Sequence, residues 1–134
     1  MRLCSNVPGQ FAIQTALGGY QSINDLVAPG GRLRKQRDLA WEMLDALPGV
    51  SCVKPQAALY LFPRLDPNMY PIKDDQAFAL ELLKDEKVLV VQGTGFNWRD
   101  PDHFRMVFLP NGDDLQEAMT RIERFLHHYR KRHS

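Results

Sequence analysis

Phe104-Arg105-Met106-Val107-Phe108-Leu109-Pro110-Asn111-Gly112 is the stretch whose pattern decides the fold. Over residues 104–109, Phe104, Met106 and Phe108 alternate with Arg105, Val107 and Leu109. That period of two predicts a strand with one strongly apolar face, and it puts Arg105 on the other face. Pro110-Asn111-Gly112 is a turn. Leu115, Met119, Ile122, Leu126 and Tyr129 then recur at helical spacing, so the chain ends in an amphipathic helix. Asp114 and Glu117 make a candidate capping box for it.

Upstream, Gly93-Thr94-Gly95-Phe96-Asn97-Trp98 reads as a loop, and the β-branched run at residues 88–91 as a strand too short to be a helix. Phe78, Leu82 and Leu83 mark a helix over residues 75–84, with Asp74 as its N-cap. Residues 50–53 and the apolar run at 58–62 predict two more strands, with a loop at Asp66-Pro67-Asn68 and Pro71. Leu33, Ala40, Trp41, Leu44 and Leu47 form the stripe of a long helix over residues 33–47, stopped by Pro48-Gly49. Ala28-Pro29-Gly30-Gly31 is a loop, and residues 7–17 a short helix ended by Gly18-Gly19.

The resulting order is helix, helix, two strands, helix, two strands, helix. Strand pairs separated by helices predict an α+β two-layer sandwich: a small antiparallel or mixed sheet with helices packed on one face. Trp41, Leu44, Leu61, Phe78, Leu82, Val90, Phe108, Ile122 and Phe125 are the expected core.

A chain of 134 residues, 44% hydrophobic, can build one such core. Its 17 basic and 16 acidic residues leave a net charge of +1, which argues against a dedicated nucleic-acid binder. No apolar run approaches the roughly 20 residues of a membrane-spanning helix. Met1-Arg2-Leu3-Cys4-Ser5-Asn6 lacks the basic head and apolar run of a secretory leader, and Cys4 and Cys52 form no paired motif. The expectation is a cytoplasmic protein with reduced thiols.

Most candidate chemistry has a plain alternative. His127 and His128 are adjacent on a helix, diverge by about 100° and cannot chelate one metal together. With Arg130, Lys131, Arg132 and His133 they read as a solvated basic helix end. Arg32, Arg34, Lys35 and Arg37 mark either a solvated face or an anion or partner surface. Asp74-Asp75 and Asp113-Asp114 sit at helix starts, where capping accounts for them. Gly93-Thr94-Gly95 follows a strand with no helix after it, which a phosphate cradle would need. Lys54, Lys73, Lys84 and Lys87 lack the apolar setting that prepares a lysine for Schiff-base chemistry. No residue is read as catalytic, cofactor-binding or metal-ligating. Arg105 is either a surface residue of an edge strand or a planar fork waiting for a carboxylate.

Several stretches together resemble the class I, aspartate aminotransferase-like, pyridoxal-phosphate-dependent aminotransferases, and within them the bacterial alanine–glutamate transaminases. Asn6-Val7-Pro8-Gly9-Gln10 and Ala12-Ile13-Gln14-Thr15-Ala16-Leu17 resemble the segment that follows the cofactor-binding region. Gly31-Arg32-Leu33 and the long helix are similar to the entry into the small domain. Pro55-Gln56-Ala57-Ala58-Leu59-Tyr60-Leu61-Phe62 resembles the family's proline-x-glycine-x-aromatic strand. Val90-Val91-Gln92-Gly93-Thr94-Gly95-Phe96 resembles its valine-x-proline-glycine-x-x-phenylalanine loop. Ala57, Gln92 and Asn97 depart from the usual glycine, proline and glycine, which bears on specificity more than on fold.

The resemblance implies a carboxyl-terminal small domain at residues 31–134, with residues 1–30 leading out of a large cofactor domain upstream. It implies that Arg105 is substrate-binding and pairs with the α-carboxylate. The Schiff-base lysine and the pyridoxal 5'-phosphate ligands are expected outside this chain, with Met1 either an internal methionine or a cloning boundary. The expected partners are an amino acid (alanine or glutamate), a 2-oxo acid, the large domain of the same enzyme and a second copy in a homodimer. No nucleic acid or membrane partner is expected. The alternative is a freestanding α+β module that binds a ligand or partner in a regulatory role.

Overall fold

In the computed structural model, residues 6–57 and 59–133 are described. Two compact units are distinguished, Met1–Arg34 and Lys35–Ser134.

The first unit holds α1 (Val7–Gly18), α2 (Ser22–Val27) and the start of α3 (Arg32–Asp45). Asn6 caps α1 by accepting from the Gly9 amide, and Gly19 closes it by donating to the Thr15 carbonyl, so the Gly18-Gly19 stop acts as expected. No residue of α1 is buried, and Phe11 and Leu17 are largely exposed. The short α2 has no side-chain cap, and no sequence signal announced it.

The second unit is an α+β domain of small antiparallel sheets and helices. Its elements after α3 are β1 (Val50–Ser51), β2 (Tyr60–Leu61), β3 (Arg64–Leu65), α4 (Asp75–Glu86), β4 (Val91–Gln92), β5 (Phe104–Val107) and α5 (Gly112–His133). One sheet has the order β2-β5-β4, with Leu61 opposite Met106 and Val91 opposite Arg105. The other pairs β1 with β3, and a bridge from Arg64 to His103 links the two.

The expected strand over 58–62 is broken up by Pro63, and Ala58 lies outside the described residues. Proline cannot donate to a ladder, so the chain changes partner there. Before Pro63, β2 pairs with β5; after it, the unforeseen β3 pairs with β1. The run 88–91 also enters its ladder late, at Val91. Helix α4 runs two residues past Lys84 and ends at Lys87, which is left-handed (φ 59°) and donates from Nζ to the Lys84 carbonyl. Residues 88–90 lie outside the ladder, with Val90 buried.

Gly49 stops α3 by turning at φ +73°, where a Cβ would stand 2.6 Å from the Met69 sulfur. The Trp41 indole donates to the Cys52 carbonyl at 2.7 Å, tying α3 to the segment after β1. At α5 the cap is Asn111, not the expected Asp114–Glu117 pair. Asn111 Oδ1 accepts from the Asp114 amide at 3.0 Å, and its amide group donates to the Asp114 carboxylate at 2.7 Å. Glu117 instead pairs with Arg121 one turn on.

The core lies between the Phe104 face of the sheet and helices α4 and α5. The Phe78 ring meets Phe125 edge-on at 5.3 Å and Tyr129 at 5.2 Å, with Phe104 tilted at 6.2 Å. All nine expected core residues take part, Trp41 being partly buried at the margin.

Glu86, buried at the end of α4, is gripped by both Nε and Nη2 of Arg124 on α5. Arg124 outweighs burial and holds the Glu86 carboxyl below the usual glutamate range. A depressed carboxyl contributes stability that is present above the unfolded-state pKa, about 4, and is lost as pH falls through the folded one. Glu86→Gln is therefore expected to lower the urea midpoint at pH 7. The gap to the parent chain should close on acidification to about pH 3. A gap constant over that range contradicts the assignment.

Candidate carboxylate site on the sheet

Arg105 lies on β5, the central strand of its sheet, so the edge-strand reading does not hold. The alternation is as expected: Phe104 and Met106 are buried, Arg105 is half-buried and Val107 is exposed. Tyr60 on β2 sits opposite Val107, on the same face as Arg105. The guanidinium carbon of Arg105 is 4.6 Å from the centre of the Tyr60 ring and 4.3 Å from that of Phe96. Two rings thus embrace the planar cation. Among the described residues no carboxylate pairs with this guanidinium. Stacking occupies its faces and leaves the N–H edge for a planar acceptor.

Phe96 is delivered by Gly93–Phe96, a single 3-10 turn where the sequence predicts an irregular loop. Gly93 is required there: its amide donates to the His103 carbonyl at 2.9 Å, and a Cβ would meet that oxygen at 2.8 Å. The turn is no phosphate cradle, because the Thr94 amide already donates to Asp75 at 2.9 Å. Asp75 therefore does not cap α4; Asp74 does so alone, accepting from Gln76 and Ala77.

Beside this lies a buried carboxylate, Asp102, which accepts from Arg64 Nε at 2.7 Å and Trp98 Nε1 at 3.2 Å, with His103 Nδ1 at 2.6 Å. Burial pushes its carboxyl up, but Arg64, His103 and Trp98 outweigh that and hold it below the usual range. His103 stacks on Phe62 at 4.8 Å and tilts against Trp98 at 4.5 Å. Sequence reasoning missed Tyr60, Phe96, Asp75 and Asp102. The available signal was two aromatics, Phe96 and Trp98, in a glycine-containing loop.

The rings of His127 and His128 are 5.7 Å apart, and no cluster of metal-holding side chains occurs among the described residues. Arg37 bonds Asp38 and the Pro55 carbonyl. Cys52 is buried, which pushes its thiol up, and Cys4 lies outside the described residues. Among the described residues no helix is long and apolar enough to cross a membrane.

The Aminotransferase class I and II family model matches residues 1–122, and the chain belongs to that family. It is 63% identical over 131 residues to the alanine aminotransferase of Mycobacterium tuberculosis, covering 98% of this chain and 30% of that protein. It is 58% identical to the glutamate-pyruvate aminotransferase AlaA of Escherichia coli, covering 96% and 32%. Among solved structures, an aminotransferase from Escherichia coli superposes with a TM-score of 0.89 at 58% identity, covering 97% of this chain and 32% of that one. The alanine aminotransferase of Pyrococcus furiosus gives 0.77 at 38% identity, covering 95% and 31%. The chain thus spans about a third of the length of these relatives.

Proposed function

We propose that this chain is the part of a pyridoxal-phosphate-dependent aminotransferase that grips the substrate α-carboxylate, with Arg105 as the fork. The reaction moves an amino group between an amino acid, alanine or glutamate, and a 2-oxo acid. The observation that carries the reading is the Arg105 guanidinium, stacked between Tyr60 and Phe96 on a central strand with its donor edge uncommitted to any described carboxylate. The names of the relatives support alanine and glutamate as substrates. Arg105 orients the substrate by a two-point contact, and the flanking rings keep water from its faces.

The chain's own residues do not fit the cofactor. Its aldehyde needs a lysine in an apolar, partly dry setting. Lys35, Lys73, Lys84, Lys87 and Lys131 are exposed, and Lys54 is paired with Asp38 at 2.9 Å. We place the cofactor and its lysine in a large domain of the same polypeptide, working as a homodimer; the greater length of the relatives, of which this chain spans about a third, supports the further domain. Incubating the chain alone with pyridoxal 5'-phosphate, then borohydride, is expected to give no stoichiometric adduct at one lysine and no turnover of alanine. A single specific adduct with turnover would overturn this division of labour.

A further inference from the structure

We infer that Asp75 is a positioning residue for carboxylate recognition, fixing through Thr94 the turn that lays Phe96 on the Arg105 guanidinium. The inference rests on the reading of Arg105 proposed above.

Asp75 is the first residue of α4 and is buried, at 4% exposure. The helix does not need its carboxylate, because Asp74 satisfies the amides of Gln76 and Ala77. A buried carboxylate carries a desolvation cost that must be offset by donors. Here both oxygens go to one residue of another element: the Thr94 amide donates to Oδ2 at 2.9 Å, and the Thr94 hydroxyl to Oδ1 at 2.7 Å. The positive end of the α4 dipole adds a favourable field for the negative charge.

The turn is held elsewhere too. Gly93 is pinned to the His103 carbonyl, with no room for a side chain. Asn97 takes the left-handed conformation and donates back to the turn's carbonyls. The Trp98 indole is tied to buried Asp102. With Thr94 anchored at one end and Trp98 at the other, the backbone carrying Phe96 is fixed, and its ring stands 4.3 Å from Arg105 Cζ. Two rings set the plane of the guanidinium, and that plane sets the line along which a carboxylate can bond to two N–H groups at once. Asp75 therefore acts on the substrate at a distance, through Thr94, Phe96 and Arg105.

The test uses the complete enzyme. Asp75→Ala is expected to raise KM for the amino acid and the 2-oxo acid about tenfold while kcat stays within about threefold, the pattern of lost ground-state binding. A purely structural role would lower the melting temperature without that split. Asp75→Asn keeps an acceptor for the Thr94 amide and should recover most of the loss. If Asp75→Ala does not fold, Thr94→Val decides: losing the hydroxyl contact should raise KM about threefold. In a Phe96→Leu background, Asp75→Ala should add less than about twofold, because both act along one chain of contacts. Unchanged KM in Asp75→Ala or Thr94→Val, or full additivity with Phe96→Leu, overturns the positioning role. If Arg105→Lys still shows its loss in those cases, the carboxylate reading stands alone; if Arg105→Lys is also silent, both fall.

Discussion

Arg105→Lys in the complete enzyme is expected to lower kcat/KM for alanine by about 10²-fold or more, equivalent to about 2.7 kcal/mol of transition-state stabilisation. The charge is retained, so the loss isolates geometry. A lysine ammonium is a point donor on a flexible stem and cannot make two parallel bonds to one carboxylate. Nor can it lie flat between Tyr60 and Phe96, whose rings are spaced for a planar group at 4.6 and 4.3 Å. Charge-assisted bonds are each worth about 1.5–3 kcal/mol, so losing one of a pair accounts for the size of the effect. Cofactor absorption should be unchanged, since this chain's lysines do not fit the cofactor. Arg34→Ala, on an exposed residue, should do much less. A value of kcat/KM within about threefold of the parent in a folded Arg105→Lys enzyme would refute the assignment.

Phe125→Ala is expected to destabilise the chain by about 3–5 kcal/mol, read from the shift in a cooperative urea transition. Phe125 is 1% exposed and packs edge-on against Phe78, with Tyr129 at 5.6 Å. Its removal takes a ring out of the contact between α4 and α5. The resulting void is lined by aromatic rings that cannot collapse without leaving their rotamers. Since a domain's total stability is about 5–15 kcal/mol, the variant should sit near the edge of folding. A cost below about 1 kcal/mol would place the core elsewhere. A parent chain without a cooperative transition would count against an autonomous domain.

What the sequence disclosed follows from how local each signal is. The Phe104–Met106–Phe108 alternation and the Leu115-to-Tyr129 stripe are periodic over several residues, and both elements form with the expected faces buried. Asp74 is an adequate cap signal because it acts on amides two and three residues away. Strand ends were harder to read, because pairing is decided by distant partners. Pro63 splits one apolar run between two sheets, which shows only when β5 and β1 are both in place. The last helix was capped by Asn111, read as part of a turn, because a turn and an N-cap share the same residue types. Arg105 stood out as a charge in an apolar strand. Its two ring neighbours lie 45 residues upstream and nine residues upstream, the first reached only through sheet register. Asp75 reads as a capping residue because the Asp74-Asp75 pair stands at a helix start; the Thr94 contact is 19 residues away and leaves no local trace.

The carboxylate assignment meets its most direct test in competitive inhibition of the complete enzyme by an unreactive carboxylate and by its amide, propionate against propionamide. Charge-assisted pairing predicts that the parent enzyme binds propionate more tightly by about 10- to 100-fold, and that Arg105→Gln brings the two inhibition constants to within about threefold. A preference for the carboxylate that survives undiminished in a folded Arg105→Gln enzyme would contradict the account.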